Sequence, residues 1–392
     1  MIKRSITPSL QERWKTYPIV TITGPRQSGK TTLSRSSFPD LPYETLENPD
    51  SRAFAQEDPR GFLNQHPEGA ILDEIQNTPE LLSYLQGIVD SNGRNSQYVL
   101  TGSHNFNLLK TVSQSLAGRI SLLTLLPLSL SEIASDSNAP IDSLIHTGFY
   151  PRLYKEAPPT PSIYYADYFQ TYVQRDIRAQ ANIRDNQQFE RFIRLCAGRV
   201  GQLLNISSLA NDAGISRITA ENWLSFLEVS YICYRLQPYH ANLGKRLTKS
   251  PKLYFYDVGL ASYLIGIRES SQVETHPLRG ALFENMIISD FKKQLHNRGS
   301  QPDLYFFRDQ QGLEIDCLHP GSKTLDLIEI KSGQTISSDY FKSLLKIPEL
   351  QHHTPNKAHL VYAGEQSQLR SNVEVLNLQK ASALYTPNPK QR

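Results

Sequence analysis

Residues 24 to 31 read Gly24-Pro25-Arg26-Gln27-Ser28-Gly29-Lys30-Thr31, the G-x-x-x-x-G-K-[ST] spacing of a phosphate-binding loop, and Thr32 follows directly. Glycines let backbone N–H groups turn toward phosphate oxygens, and a helix starting at the lysine adds the positive end of its dipole. In such a loop Lys30 reaches the β- and γ-phosphates and the Thr31 hydroxyl ligates Mg²⁺. A second motif, Ala70-Ile71-Leu72-Asp73-Glu74, is an apolar run ending in two carboxylates. Asp73 is the candidate to hold Mg²⁺ through water, and Glu74 the candidate to polarise the water that attacks the γ-phosphate. An acidic pair at a strand end is ordinarily a solvated end, but its spacing from the loop favours the chemical role. A third strand, Tyr98 to Thr101, runs into Gly102-Ser103-His104-Asn105. In ATPases of the ASCE type a polar residue there senses the γ-phosphate. Ser103 is the first candidate and Asn105 the second, with His104 read as a surface residue. The implied ligands are ATP and Mg²⁺.

A second constellation lies toward the C-terminus. Glu284 shares a helical row with Ile288, Phe291 and Leu295, where a carboxylate is costly unless it is paired or binds a cation. Glu314-Ile-Asp316 stands on one expected strand and Glu329-Ile-Lys331 on the next, and the two-residue period puts Glu329 and Lys331 on one face. If Asp316 and Glu329 bind a divalent cation, Lys331 stabilises a hydroxide, and Glu284 supports metal or lysine, the chemistry is metal-assisted phosphodiester hydrolysis. The plainer alternative is a strand carrying Glu and Lys on its solvent face.

Elements must bring these residues together. The 392 residues exceed a single core, which rarely grows past roughly 250 to 300 residues, so two or three domains are expected. With 39% hydrophobic and 20% charged residues and a formal net charge of +3, the composition neither demands nor excludes nucleic acid. Cys196, Cys233 and Cys317 are scattered in apolar segments and read as core residues, not as metal ligands or disulfides. No apolar run approaches the ~18 residues of a membrane span, which gives a cytoplasmic expectation without membrane contact.

Residues 1–128 alternate strand-like and helical runs, as in a parallel sheet covered by helices. They include helices around Leu10 to Trp14, Thr32 to Ser36 and Pro79 to Asp90, and a last strand from Ile120 to Leu126. Residues 129–195 read as a helical, basic lid with Arg175, Arg178, Arg184, Arg191 and Arg194. In 196–268, a short helix after Asn205, a turn at Gly214 and a second helix capped by Ser216 make a helix-turn-helix pattern. Ile218, Trp223, Leu224 and Leu227 are expected to pack that second helix onto the core. Strand-like runs Tyr231 to Leu236 and Leu253 to Tyr256 flank a basic loop, as in a winged-helix domain. Its Lys245, Arg246 and Lys249 are the candidate DNA contacts. Residues 276–385 open on a helix from Leu278 to Gln294 and continue in strands near 303–307, 313–318, 325–330 and 358–362.

GPRQSGKTT, ILDEIQ, LTGS, LAGR followed by PLSLSE, and SPKLYFYDVGLASYL together resemble a large prokaryotic family of ATP-binding, AAA-type proteins with a C-terminal domain of unknown function. RGALFEN, EIDCL and IEIKSG resemble the PD-(D/E)XK nuclease fold, although the usual Pro-Asp is absent near Asp316. The implied fold class is α/β: a P-loop AAA-type ATPase domain with a helical lid, a winged-helix middle domain and a restriction-endonuclease-like C-terminal domain. The resemblance implies the roles given above for the loop, Asp73, Glu74 and Ser103, and matches Glu284, Asp316, Glu329 and Lys331 to the nuclease-like pattern. Arg119, before the last strand of the first domain, could touch a phosphate from within the subunit or from a neighbouring one, or simply bind carbonyls of the preceding helix. Arg152 and Arg175 are further candidates. The leading expectation is an ATPase coupled to double-stranded DNA. Its rival is an ATP-dependent switch acting through a protein partner or a homo-oligomer, with the nuclease-like fold kept as scaffold.

Overall fold

The computed structural model describes residues 2–103, 116–136, 139–177, 183, 185–239, 250–321, 324–346 and 354–386. His104, Asn105, Arg178, Arg184, Lys245, Arg246 and Lys249 lie outside the described residues, as does the side chain of Arg175. Two compact units result: Met1–Leu128 with Val229–Tyr231 and Leu295–Ser300, and the remainder of the chain. Among the described residues no helix is long and apolar enough to cross a membrane.

The first unit is built on five strands, β1 (Ile19–Gly24), β2 (Tyr43–Thr45), β3 (Ala70–Asp73), β4 (Tyr98–Ser103) and β5 (Ile120–Thr124). They lie in the order β2-β3-β4-β1-β5 and every neighbouring pair is parallel. Strands covered on both faces read as unbroken apolar runs, which is why β1, β3 and β4 were legible. Ile19, Val20, Ile22, Ile71, Leu72, Val99 and Leu100 are fully buried. The covering helices include α1 (Thr7–Thr16), α2 (Lys30–Ser37), α3 (Pro49–Glu57), α4 (Pro59–Asn64) and α5 (Leu81–Asn92). Helix α2 begins two residues before the expected Thr32, so Lys30 and Thr31 belong to its first turn. Pro79 falls in a turn before α5, which closes on Gly93 at φ 61°. The last strand stops at Thr124, because the Leu126 carbonyl leaves the ladder to accept from Arg4.

In the second unit the helix Ile206–Ala213 is capped by Asn205, whose side chain accepts from the Ser208 N–H. Gly214 takes the left-handed conformation at φ 74°, and Ser216 accepts from the Thr219 N–H to open the helix Arg217–Val229. Ala220, Trp223, Leu224 and Leu227 are buried in the i, i+3, i+4, i+7 pattern of a single face. Ile218 does not join them and is 74% exposed. At about 100° per residue it lies on the far side of the helix from Ala220.

Strands β6 (Cys233–Pro238) and β7 (Lys252–Phe255) form the expected antiparallel hairpin. It is not self-contained. Gln237 and Pro238 pair in parallel with Tyr305 and Phe306 of β8 (Tyr305–Arg308). The hairpin therefore continues into β9 (Glu314–Pro320), β10 (Thr324–Lys331), β11 (Thr354–Tyr362), β12 (Gln368–Arg370) and β13 (Val373–Leu376). The result is one eight-stranded sheet of order β12-β13-β11-β10-β9-β8-β6-β7. Apart from Val229–Tyr231 and Leu295–Ser300, the lid, winged-helix and nuclease-like segments fall within the second compact unit. The long helix is Arg279–Asn297, extended past the expected Gln294. Cys196, Cys233 and Cys317 are buried free thiols.

Leu224→Ala is expected to cost about 2–5 kcal/mol of stability by leaving a cavity, whereas Ile218→Ser stays within about 0.5 kcal/mol. Denaturant unfolding followed through Trp223 fluorescence measures both.

Candidate functional site

Parallel pairing aligns the ends of three strands. Gly24 closes β1 opposite Ser103 at the end of β4, and Leu72, next to Asp73, pairs with Leu100. The loop leaves β1 through Gly24 at φ 143°, where a Cβ would lie 2.1 Å from the Leu125 carbonyl oxygen. Only glycine fits there. Gly29, at φ 95°, turns the chain into α2.

Lys30 is 5% exposed, and its ammonium donates to the loop's own carbonyls, Gly24 O at 3.2 Å and Pro25 O at 2.9 Å. Burial pushes its pKa down to about 8, against the raising influence of Glu74 and Asp73. The Thr31 hydroxyl donates to both oxygens of Asp73, at 3.1 and 2.9 Å. Asp73 also accepts from the Tyr43 hydroxyl at 2.8 Å and from the Thr101 hydroxyl. Burial and the bond to Asp73 push the Tyr43 phenol up to about 12. The next residue, Glu74, stands in the left-handed region at φ 57°, and its carboxylate accepts from the Gln76 side-chain amide. That same amide donates to Ser103 Oγ at 3.2 Å, so Gln76 ties the two candidate catalytic groups together.

Two positioning residues are not among the expected site residues. Gln76 ends the run ILDEIQ, but nothing in that run gives it a role. Arg4 is remote in sequence, yet its buried guanidinium donates to Ser28 O at 2.8 Å and to Leu126 O at 2.8 Å. It thus braces the loop against the segment that follows β5.

Arg119 is a correction. Its carbonyl accepts from the Ile19 N–H, at the start of β1, so it sits at the edge of the sheet opposite the phosphate loop. Its side chain forms a two-point pair with Asp90, at 2.5 and 2.9 Å. A strand's length of about 17 Å separates it from the loop, which rules out a phosphate contact within the subunit. Arg152 is an exposed residue of the second unit.

The C-terminal carboxylates do converge, but around lysines. Lys331 Nζ lies 2.6 Å from Glu329 Oε1 and 3.5 Å from Asp316 Oδ2, and the latter also accepts from the Ile330 N–H at 2.8 Å. Glu284 does not support Lys331 directly; it accepts from Lys252 at 3.1 Å and from the Tyr254 hydroxyl at 2.5 Å. Burial, then the Asp316 charge, raise the carboxyls of Glu284 and Glu329. Burial alone would lower Lys252 and Lys331, but the surrounding carboxylates outweigh it and hold both above the ordinary lysine value. Among the described residues no group of three or more His, Cys, Asp or Glu is placed to hold a metal ion. Of the expected ligand set, Glu284 Oε1, Glu329 Oε1 and both Asp316 oxygens lie against ammonium groups.

The strand–loop–helix with Lys30 and Thr31, and Asp73 and Glu74 two strands away across β4, define a P-loop ATPase domain of the AAA type. Residues 16–134 match the family described as AAA domain. Residues 138–271 and 279–381 match two families described as domains of unknown function, DUF8612 and DUF4143. Uncharacterized proteins of Mycobacterium tuberculosis and Mycobacterium bovis are each 32% identical to the chain over 320 residues, covering 80% of it and 70% of their own length. The chain belongs to the family of these mycobacterial proteins. An uncharacterized protein of Haemophilus influenzae is 25% identical over 282 residues, 68% of this chain and 63% of its own. Among solved structures, a Walker-type ATPase of Pyrococcus abyssi is similar at 14% identity and a TM-score of 0.45, over 67% of this chain and 96% of that one. AMPPCP-bound DnaA of Aquifex aeolicus is similar at 11% identity and a TM-score of 0.28, over 57% and 85%.

Arg4→Ala should weaken nucleotide binding about tenfold, without touching the nucleotide, by removing two charge-assisted bonds that brace the loop. Titration with a fluorescent ATP analogue checks it; unchanged affinity would mean the loop holds its shape unaided.

Proposed function

We propose that the first unit hydrolyses ATP in a Mg²⁺-dependent reaction coupled to contact between the second unit and duplex DNA. The observation that carries the first half is the convergence of Lys30, Thr31, Asp73, Glu74 and Ser103 at the ends of three parallel strands. The residues suit the ligand. Ser28 Oγ is buried in the loop without a hydrogen-bond partner, and Lys30 has only backbone carbonyls as acceptors, both of which a polyphosphate would change. Mg²⁺, when bound with the nucleotide, neutralises charge developing on the phosphates.

Each residue then has a defined task. Loop N–H groups and Lys30 bind and orient the β- and γ-phosphates. Thr31 is the candidate inner ligand of the metal, with Asp73 behind it, held by the Tyr43 and Thr101 hydroxyls. Glu74 polarises the attacking water by accepting a hydrogen bond from it and is the base its proton moves toward, and Ser103, joined to Glu74 through Gln76, orients the γ-phosphate.

The DNA half rests on the helix Arg217–Val229. Its N-terminal turns expose Arg217 and Asn222, side-chain types that read base edges, in the position a helix-turn-helix presents to the major groove. The exposed Ile218 beside them favours a second reading, in which the same face meets a protein and ATP state switches that contact.

Lys30→Ala is expected to abolish nucleotide binding, whereas Glu74→Gln keeps ATP bound and stops turnover, because the amide is isosteric and not basic. Phosphate release with and without duplex DNA tests both halves of the proposal. Stimulation by DNA supports the coupling, and equal ATP affinity in Lys30→Ala and parent would sink the assignment of the loop.

Arg217→Ala with Asn222→Ala should cost about 1–3 kcal/mol of DNA affinity per lost base contact while leaving ATP binding intact. Binding measured across a salt series decides it. A parent with no salt-dependent affinity for duplex DNA would leave the protein-switch reading in place.

A further inference from the structure

Lys252 opens β7 and is 3% exposed. Its ammonium lies 3.1 Å from Glu284 Oε1, 2.5 Å from Glu314 Oε1 and 3.9 Å from Asp316 Oδ1, and 5.6 Å from the centre of the Phe306 ring. It therefore joins the hairpin β6–β7 to the long helix Arg279–Asn297 and to β9. No spacing rule pointed to it, because it lies far in sequence from the carboxylates it serves.

A lysine ammonium is a compact point charge with three donors, and it satisfies carboxylates much as a small cation does. A divalent metal needs the same oxygens, and Mg²⁺ needs them at about 2.0–2.1 Å in near-octahedral order with several waters. In this cluster Glu284 Oε1 is engaged by Lys252 and Tyr254, Glu329 Oε1 by Lys331, and Asp316 by Lys331, Lys252 and the Ile330 N–H. A metal would have to enter a shell that already holds two buried or half-buried ammonium groups. Not every acceptor is taken: Glu329 Oε2 is buried with no hydrogen-bond partner, and its residue is only 6% exposed. The site thus has the acceptors of a cation site and a cation supplied by the chain itself.

We infer that Lys252 is the resident cation of the C-terminal site, taking the place a divalent metal would need and closing the site to metal. The nuclease-like arrangement is then complete without metal, and it does not support metal-assisted hydrolysis while Lys252 stays in place. This inference is independent of the ATPase assignment, since none of its residues belongs to the first unit.

The test is Mn²⁺ binding to the nucleotide-free full chain near neutral pH, read as loss of the free-Mn²⁺ paramagnetic signal. The parent and Asp316→Asn should bind equal amounts. Lys252→Met, which keeps the apolar stem and removes the charge, should bind one additional Mn²⁺ per chain, and Lys252→Met with Asp316→Asn should lose it. A parent that binds Mn²⁺ in a manner Asp316→Asn abolishes overturns the inference. So does a folded Lys252→Met that gains no site. If Lys252→Met does not fold, the comparison of parent with Asp316→Asn decides alone, and Glu329→Gln replaces Asp316→Asn should that variant be the one that fails.

Discussion

Parallel alignment of β1, β3 and β4 is the constraint on which the nucleotide site depends. Three motifs separated by tens of residues become one site only because their strands run the same way and finish at the same edge. Placing β4 between β1 and β3 puts Ser103 beside the loop and leaves Asp73 one strand further out, within reach of Thr31. The same constraint removes Arg119, because a residue that precedes a strand of this sheet must stand at the other edge.

The two polar clusters handle buried charge in opposite ways. In the first unit Asp73 is held by three hydroxyls, Thr31, Tyr43 and Thr101, and none of them neutralises it. Lys30 is buried among carbonyls and its pKa falls. Among the described residues neither charge is paired with an opposite one, which suits the polyphosphate and metal of the proposed reaction. In the second unit the carboxylates and lysines balance one another directly, and Lys252 and Lys331 are held charged by their neighbours. Buried ions paired in this way are satisfied within the chain. One cluster keeps its charges apart, and the other sets carboxylates against ammonium groups of the same chain.

What the sequence made legible follows from where the physics is local. The loop, the acidic strand end and the cap Ser216 depend on a few adjacent residues, and each lies where its pattern indicated. Ile218 was misjudged because an apolar residue near a helix start suggests core, while its face is set by the phase of Ala220, Trp223, Leu224 and Leu227. Arg4 and Lys252 had no assigned role because each acts on residues far away in sequence, and Gln76 because its bond to Ser103 forms only when β3 and β4 align. Edge strands such as β2 and β12 are short and half-buried or exposed, so they carry no apolar run to read.

The continuous sheet has a further consequence. The families matching residues 138–271 and 279–381 meet between β7 and β8, yet β6 pairs with β8 across that junction. Lys252 from the first of these segments neutralises Glu284, Glu314 and Asp316 of the second. Cutting the chain between them would bare the edge of β8 and part Glu284 from Lys252, while Asp316 keeps Lys331 and Glu314 keeps Arg308; a largely buried carboxylate that loses its cation costs several kcal/mol. The two segments are therefore separate as sequence families but interdependent as structure. Charge balance in the C-terminal cluster is one physical reason for them to occur together in one chain.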